Sequence, residues 1–221
     1  MIKKDIRAAE LYKTMFTVAI PIVIQNLIGN SLTIVDTVMI SSLGEASVAA
    51  VGIAGRLQFL FVLITFGFYS GAGIFMAQYF GSRNFERMRV TMALQLVLGI
   101  MSSAVFMTVA LVFPRWYMSI FSKDPQVIEL GIGYLKYLGW GFGMHAISYA
   151  YIVSLRSIRD SLYPMYVSAI ALIANTVLNY GLIFGNFGLP QLGVEGAAIA
   201  TTISRFIEAG FMIYSVYFGS R

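Results

Sequence analysis

The side chains that could carry chemistry in this sequence are a few polar residues within long apolar stretches. Asp36 lies near the end of the first stretch, and Asn175 and Asn179 lie four residues apart in the fifth. Thr201 lies in the sixth. One acid, two carboxamides and one hydroxyl could bind a hard cation such as sodium through oxygen, or hold the acid for proton exchange. A charged group at bilayer depth is costly, so we expect Asp36 to have a function.

The helix that carries Asp36 has further polar residues. At about 100° per residue, four positions are predicted to share one stripe of this helix, with Asn26 at its margin. The stripe comprises Gln25, Gly29, Thr33 and Asp36. Pro21 lies in the same helix and could let it bend. The candidates for cavity lining or gating are therefore Pro21, Gln25, Asn26 and Thr33.

The fifth and sixth stretches repeat this arrangement. Asn175 and Asn179 stack on one helix face, in line with Ser168 two turns earlier. Thr201 shares a stripe with Ala197, whose small side chain would let the backbone approach an ion or another helix. The alternative is that the amides and the hydroxyl only join helices by hydrogen bonds.

Basic residues give Asp36 a possible structural role. Arg56 could also lie in the membrane, and an ion pair between it and Asp36 would make the acid a tether. Another alternative places Asp36 close enough to the membrane surface to be solvated. Arg205 and Glu208, three residues apart on one helix, could neutralise each other.

The composition shows which elements must position these residues. Of 221 residues, 58% are hydrophobic and 11% are charged, which is far more apolar than a soluble domain. The chain has no cysteine and a single histidine, His145. The sequence therefore offers no thiolate metal site and no partner for a zinc or nucleophilic constellation, and it predicts a protein that is not an enzyme and needs no cofactor.

The predicted fold is an all-α membrane protein of six transmembrane helices. Apolar stretches of this length cross the hydrocarbon core as helices. Gly, Pro, Asn and charged residues place the spans near residues 14–40, 46–80, 90–113, 127–155, 162–184 and 194–218. Residues 1–13 are predicted to form a cytoplasmic amphipathic lead-in, and residues 14–218 the transmembrane lobe.

Local signals refine the helix ends and contacts. Asp124 followed by Pro125 predicts an N-cap and a first helical position, while residues 185–190 forbid continuation of the preceding helix. Small-residue motifs predict close helix contact. These motifs contain Gly67, Gly71, Gly139, Gly141 and Gly143.

Most basic residues fall on one predicted side of the membrane. The opposite loops offer only Arg115 and Lys123. The positive-inside rule then places both termini in the cytoplasm of a multi-pass plasma-membrane protein. Orientation thus explains the net charge of +5, so we expect the lipid bilayer and no nucleic acid as a partner.

Three segments resemble the multidrug and toxic compound extrusion (MATE) family of antiporters, and the resemblance runs along essentially the whole chain. Residues 35–52 resemble the end of the family's first helix and the start of its second, and residues 71–84 resemble the loop after the second helix. The third and longest match covers residues 164–201. The resemblance implies one six-helix lobe of a two-lobed transporter with a central cavity, and residues 219–221 would begin the inter-lobe linker.

The resemblance also implies a function, namely secondary active efflux of drugs or organic cations by proton- or sodium-coupled antiport. It implies that Asp36 is the N-lobe acid that exchanges protons or helps to bind sodium. The residues that match the surrounding positions are Asn175, Asn179, Ala197 and Thr201. Some relatives carry Asp where this chain has Asn179, which leaves the coupling ion open.

Two other functions remain possible at this point. A lipid-linked oligosaccharide flippase of the same superfamily would need more basic residues along the cavity, and few cavity candidates here are basic. A non-transporting scaffold or inactive half-transporter would use its polar residues only to join helices. Half of the expected cavity is missing, so we expect the partners to be a small-molecule drug and either a C-terminal lobe or a second copy of the chain.

Overall fold

The computed structural model describes residues 8–218, which form six long α-helices, one short helix and no strand. The helices are α1 Ala8–Ser41, α2 Glu45–Gly81, α3 Phe85–Val112, α4 Pro114–Phe121, α5 Pro125–Ser157, α6 Leu162–Phe184 and α7 Gly193–Tyr217. This confirms the predicted all-α membrane fold. Residues 1–7 of the predicted lead-in and the linker at 219–221 lie outside the described residues.

Five of the described helices are long and apolar enough to cross a membrane, namely α1, α2, α3, α6 and α7. The sixth long helix, α5, has 33 residues but a different composition, rich in glycine and tyrosine. It lies at the centre of the lobe, in contact with α2, α3, α4 and α7. A helix surrounded by other helices can use small and polar residues for packing, since few of its side chains face lipid.

The predicted helix boundaries around α5 and α6 are confirmed. Pro125 is the first residue of α5, and the side chain of Asp124 accepts a hydrogen bond of 2.8 Å from the backbone N–H of Gln126. Gly185 ends α6 in the left-handed conformation, with φ of 78°. Its N–H donates to the carbonyl of Gly181 at 2.9 Å, which satisfies one of the last helical carbonyls.

Helix α4 was not predicted, because the sequence analysis treated its residues as part of a connector. Eight residues are too few to show a clear helical period. In the structure, Tyr117 and Met118 are buried while Trp116 is exposed. The Tyr117 hydroxyl donates to the carbonyl of Ile53 at 3.0 Å, so α4 closes one end of the lobe against α2.

A close approach at Gly99 joins α2, α3 and α5. A Cβ atom added at Gly99 would lie 1.9 Å from the hydroxyl oxygen of Tyr69. That hydroxyl donates to the backbone carbonyl of Ala146 on α5 at 2.8 Å. The absence of a side chain at Gly99 therefore makes room for a buried hydrogen bond between two other helices.

The predicted close contacts are present in one glycine motif and absent in the other. A Cβ at Gly139 would lie 2.9 Å from Leu111, whereas one at Gly67 or Gly71 would meet no atom within 4 Å in the described part of the chain. The prediction for Gly67 and Gly71 is therefore wrong within this lobe. Spacing identifies a helix face that can be approached closely, but it does not identify what lies against that face.

We predict that Gly99→Ala destabilises the lobe. The added methyl group must displace the Tyr69 hydroxyl from Ala146, which costs about 1–3 kcal/mol. Thermal unfolding of the purified protein in detergent should show a lower Tm. Gly67→Ala is the matched control, because its methyl group enters open space. Equal Tm values for the two variants would show that the Tyr69 contact contributes nothing.

Candidate cation site and cavity

Asp36 lies where α1, α6 and α7 meet. Its carboxylate accepts a hydrogen bond from the side-chain amide of Asn179. That amide also donates to Asn175 Oδ1 at 3.0 Å, and the Asn175 amide donates to Thr201 Oγ1 at 3.3 Å. These four residues, which we call the Asp36 cluster, join three helices by consecutive hydrogen bonds.

The members of the Asp36 cluster differ in exposure. Asn175 and Asn179 are 0% exposed and Thr201 is 4% exposed, whereas Asp36 is half-buried. Buried amides are costly unless they form hydrogen bonds, so the two asparagines are held firmly in place. The carboxylate is thus fixed by the protein on one side and can be reached from the other.

A second orientation of the Asn175 amide gives the carboxylate another donor, in exchange for the hydrogen bonds that Asn175 forms with Asn179 and with Thr201 Oγ1 in the first orientation. If the amide turns by half a rotation, its nitrogen donates to Asp36 Oδ1 at 2.9 Å and its oxygen accepts from the Thr201 backbone N–H at 3.3 Å. Asn179 Oδ1 is buried and has no hydrogen-bond partner among the described residues. An unpartnered amide oxygen is the kind of ligand that a hard cation prefers, whereas the nitrogen of the same amide contacts Asp36.

The remaining predicted member, Ala197, lies one turn before Thr201 on α7. It is 1% exposed and packs in the apolar core. Its side chain brings no polar atom to the Asp36 cluster, so any role at the site depends on its small size. Within residues 8–218 no group of three or more Asp, Glu, His or Cys side chains could hold a metal ion, and a cation site here depends on one acid with neutral oxygens.

The structure divides the predicted polar stripe of α1 between two faces. Gln25 and Asp36 both contact α6, whereas Thr33 is exposed. Around the helix axis Asp36 lies only about 20° from Gln25, but Thr33 lies about 80° away. Thr33 therefore does not share the face that packs on α6, and its role in lining or gating a cavity stays a prediction. Gly29 lies between these directions, at about 40° from Gln25, and Asn26 lies beyond Thr33, at about 100°. Both residues line the edge of a cavity.

Pro21 is buried, and α1 continues through it in both directions. A proline inside a helix removes one backbone hydrogen bond, which lowers the cost of bending at that point. Its role in gating stays a prediction.

Gln25 belongs to a second polar group, which we call the Gln25 network. Arg156 Nη2 donates to Gln25 Oε1 at 2.6 Å, and Gln25 Nε2 donates to Ser168 Oγ at 2.9 Å. Ser168 in turn donates to Glu208 Oε1 at 3.0 Å. Arg205 forms an ion pair with Glu208 at 2.9 Å, as the sequence predicted. The network connects α1, α5, α6 and α7.

Arg56 does not tether Asp36. Its guanidinium carbon lies 5.1 Å from the centre of the Phe121 ring on α4, in cation–π geometry. Among the described residues the ion pairs are Arg205–Glu208 and Arg115–Glu129. The alternative in which Arg56 gives Asp36 a purely structural role is therefore wrong.

A cavity of about 440 Å³ lies beside the Gln25 network. Both Arg156 and Arg205 line it, together with His145 and Ser148. Few of the cavity candidates predicted from the sequence are basic, whereas two arginines line this cavity within the lobe. The sequence places Arg156 at the end of a span, where it suggests an interfacial charge, and only the structure shows its side chain turned back to α1.

Several apolar helices surround a polar cluster that contains one acid, Asp36. The chain is therefore a multi-pass α-helical membrane protein. It belongs to the MatE family, whose model matches residues 21–181. The structure is also similar to a solved structure described as the outward-facing conformation of a multidrug resistance MATE family transporter of the MOP superfamily. The TM-score is 0.84 at 22% identity, with 93% of this chain and 45% of that chain covered, a likeness that concerns the fold.

Two relatives show how much of a MatE protein this chain represents. It is 28% identical over 212 residues to the probable multidrug resistance protein YoeA of Bacillus subtilis (strain 168), covering 96% of this chain and 45% of that protein. It is 27% identical over 209 residues to the probable multidrug resistance protein NorM of Thermotoga maritima, covering 94% and 45%. The chain therefore spans about half the length of these relatives and corresponds to their N-terminal lobe.

We predict that Gln25→Ala weakens the attachment of α1 to the lobe. The change removes the acceptor for Arg156 and the donor to Ser168, and it should cost about 2 kcal/mol or more. Limited proteolysis in detergent should then cut α1 faster, and the Tm should fall. Asn26→Ala is the control on the exposed side of the same helix. If both variants resist proteolysis as the parent does, the network does not hold α1.

Proposed function

We propose that this chain is the N-terminal lobe of an exporter that removes drugs or organic cations by proton- or sodium-coupled antiport. The observation that carries the proposal is the hydrogen bond between Asn179 and the half-buried carboxylate of Asp36. The relatives' names support the same function, because these relatives are called probable multidrug resistance proteins. As the chain spans about half of those proteins, export by the whole transporter is part of the proposal.

Charge neutralisation at Asp36 is the proposed trigger. An ionised Asp36 accepts hydrogen bonds from the asparagine amides, and a bound proton or sodium ion changes which of these bonds are favourable. Helix α1 packs mainly against α6 and has few contacts elsewhere in the lobe. A change at Asp36 therefore alters the contact that positions α1, and Pro21 provides a place for the helix to bend.

The cluster contains features suited to either coupling ion. A single carboxylate that donors surround can exchange a proton. Sodium would use the oxygens of Asp36, Asn175, Asn179 and Thr201, and the unpartnered Asn179 Oδ1 supports this arrangement. With Asn at position 179, the site carries one acid, so each transport cycle would move one positive charge at this cluster.

The rest of the transporter is proposed to lie against the exposed faces of this lobe. A C-terminal lobe or a second copy of the chain would complete the cavity between the lobes. The protein is proposed to lie in the plasma membrane with both termini in the cytoplasm, because the positively charged loops then face inward.

We predict that Asp36→Asn abolishes ion-driven efflux, because asparagine cannot gain or lose a proton and brings no charge to attract sodium. The measurement is transport of a fluorescent cationic dye by proteoliposomes under a pH gradient or a sodium gradient, each applied alone. Glu129→Gln is the control, as its exposed carboxylate pairs with Arg115 and with no member of the Asp36 cluster. Undiminished transport by Asp36→Asn would defeat the proposed coupling.

The same assay separates export from the non-transporting alternative. A scaffold would show no dye movement with any gradient, for the 221-residue chain or for that chain supplied with the remainder of a transporter. Transport that appears only with the second lobe would support the half-transporter reading.

The proposed orientation can be tested directly, because the chain contains no cysteine. We predict that Ser82→Cys, in the loop between α2 and α3, is protected from a membrane-impermeant maleimide in intact cells. Lys123→Cys, in the loop before α5, should react. Both positions are exposed in the lobe, so the difference reports the side of the membrane, and the reverse labelling pattern would invert the topology.

A further inference from the structure

We infer that the cavity beside the Gln25 network is a binding subsite for a carboxylate, with Arg156 as its principal partner. The ligand class is an amphipathic organic acid or a zwitterion with one carboxylate. The inference names a substrate class for the proposed exporter and in that respect rests on the proposed function. Binding itself, however, can be measured without transport.

The wall of the cavity carries an excess of positive charge. Two guanidinium groups, those of Arg156 and Arg205, line the cavity with one carboxylate, that of Glu208. Glu208 is paired with Arg205 at 2.9 Å. Arg156 donates to the neutral amide of Gln25 and forms no ion pair in the described part of the chain. One positive charge is left without a counter-charge, and a partly buried arginine favours an anion at this point.

Three residues that line the cavity have buried polar atoms without hydrogen-bond partners among the described residues. Arg156 Nε is buried without a hydrogen-bond partner among the described residues, and so is the hydroxyl of Ser148, a residue only 1% exposed. His145 Nδ1 is a third such atom. Unpartnered buried polar atoms are rare because they are costly, and two of these three, Arg156 Nε and the Ser148 hydroxyl, are donors that lack an acceptor in residues that line one cavity. A carboxylate provides several acceptor positions.

The apolar part of the cavity suits the body of an organic acid. The Tyr149 ring lies nearly parallel to the His145 ring, with centroids 6.0 Å apart and planes at 11°. Both rings line the cavity. The aliphatic residues on its wall are Ile28, Leu32, Val62, Ile152 and Ala171. A volume of about 440 Å³ falls in the range of small-molecule sites.

The single excess charge also selects among anions. One guanidinium without a counter-ion matches one carboxylate, whereas a polyprenyl diphosphate carries more negative charge than this wall could neutralise. A purely cationic drug would place its charge beside Arg156 and would bind better elsewhere. The cavity therefore suits the acidic end of a ligand.

The test is equilibrium dialysis of the purified 221-residue chain in detergent with radiolabelled 1-naphthoate, which is ionised at pH 7. Neutral 1-naphthalenemethanol and 1-naphthylmethylammonium serve as matched probes. Saturable binding is expected for 1-naphthoate alone. Arg156→Gln should weaken it by roughly tenfold or more, the loss expected for a charged hydrogen bond.

Two further variants separate ligand binding from misfolding. Ser148→Ala removes a hydroxyl with no partner in the lobe, so it should fold normally and weaken 1-naphthoate binding by about threefold. Glu208→Gln removes the negative charge from the wall and should strengthen binding, a change of opposite sign. Arg56→Gln, outside the cavity, should leave binding unchanged.

Each result has a defined meaning. Equal binding of the three probes, or an unchanged dissociation constant in both Arg156→Gln and Ser148→Ala, would overturn the carboxylate subsite. Saturable binding of farnesyl diphosphate without binding of 1-naphthoate would also overturn it, in favour of a polyprenyl diphosphate. Retained 1-naphthoate binding in a chain that fails to transport dye would support the subsite and count against the proposed export alone.

Discussion

The carboxylate of Asp36 is the constraint on which the lobe depends. A charge between helices is stable only if donors surround it, and two buried asparagines on α6 provide them. Asn175 forms a hydrogen bond with Thr201 on α7 in either orientation of its amide. Helix α1 has most of its apolar residues exposed and packs chiefly on α6, so this polar contact positions the helix more than a shared apolar core does.

Much of the fold could be predicted, because long apolar stretches, proline and glycine act locally. The boundaries at Asp124 and Gly185 follow from side-chain capping and backbone freedom, and the structure has them there. Helix α4 was not predicted, because eight residues are too few to show a helical period. The packing of Gly67 and Gly71 also escaped prediction, because small residues show that a face can be approached without showing which helix approaches it.

The candidate site was predictable where its residues share a helix. Asn175 and Asn179 had to lie on one face, four residues apart, and an acid within a span had to find donors. Contacts between helices distant in sequence could not be derived in this way. Gln25 and Arg156 are separated by 131 positions, and the sequence presents Arg156 as a charge at the end of a span. Thr33 falls outside the face of α1 that packs on α6 because the predicted stripe is too wide: at 100° per residue Thr33 already lies about 80° from Gln25.

The Asp36 cluster and the Gln25 network share helices α1, α6 and α7, so a change in one can affect the other. Asp36 is 11 positions after Gln25 on α1, and Asn179 is 11 positions after Ser168 on α6. The contacts Gln25–Ser168 and Asp36–Asn179 occur in the same order along the two helices, so α1 and α6 run parallel. These two layers of contacts are about 16 Å apart along the helix axis. Glu208 and Thr201 take part in the same two layers on α7. A ligand that alters one layer therefore acts on rigid helices that also form the other.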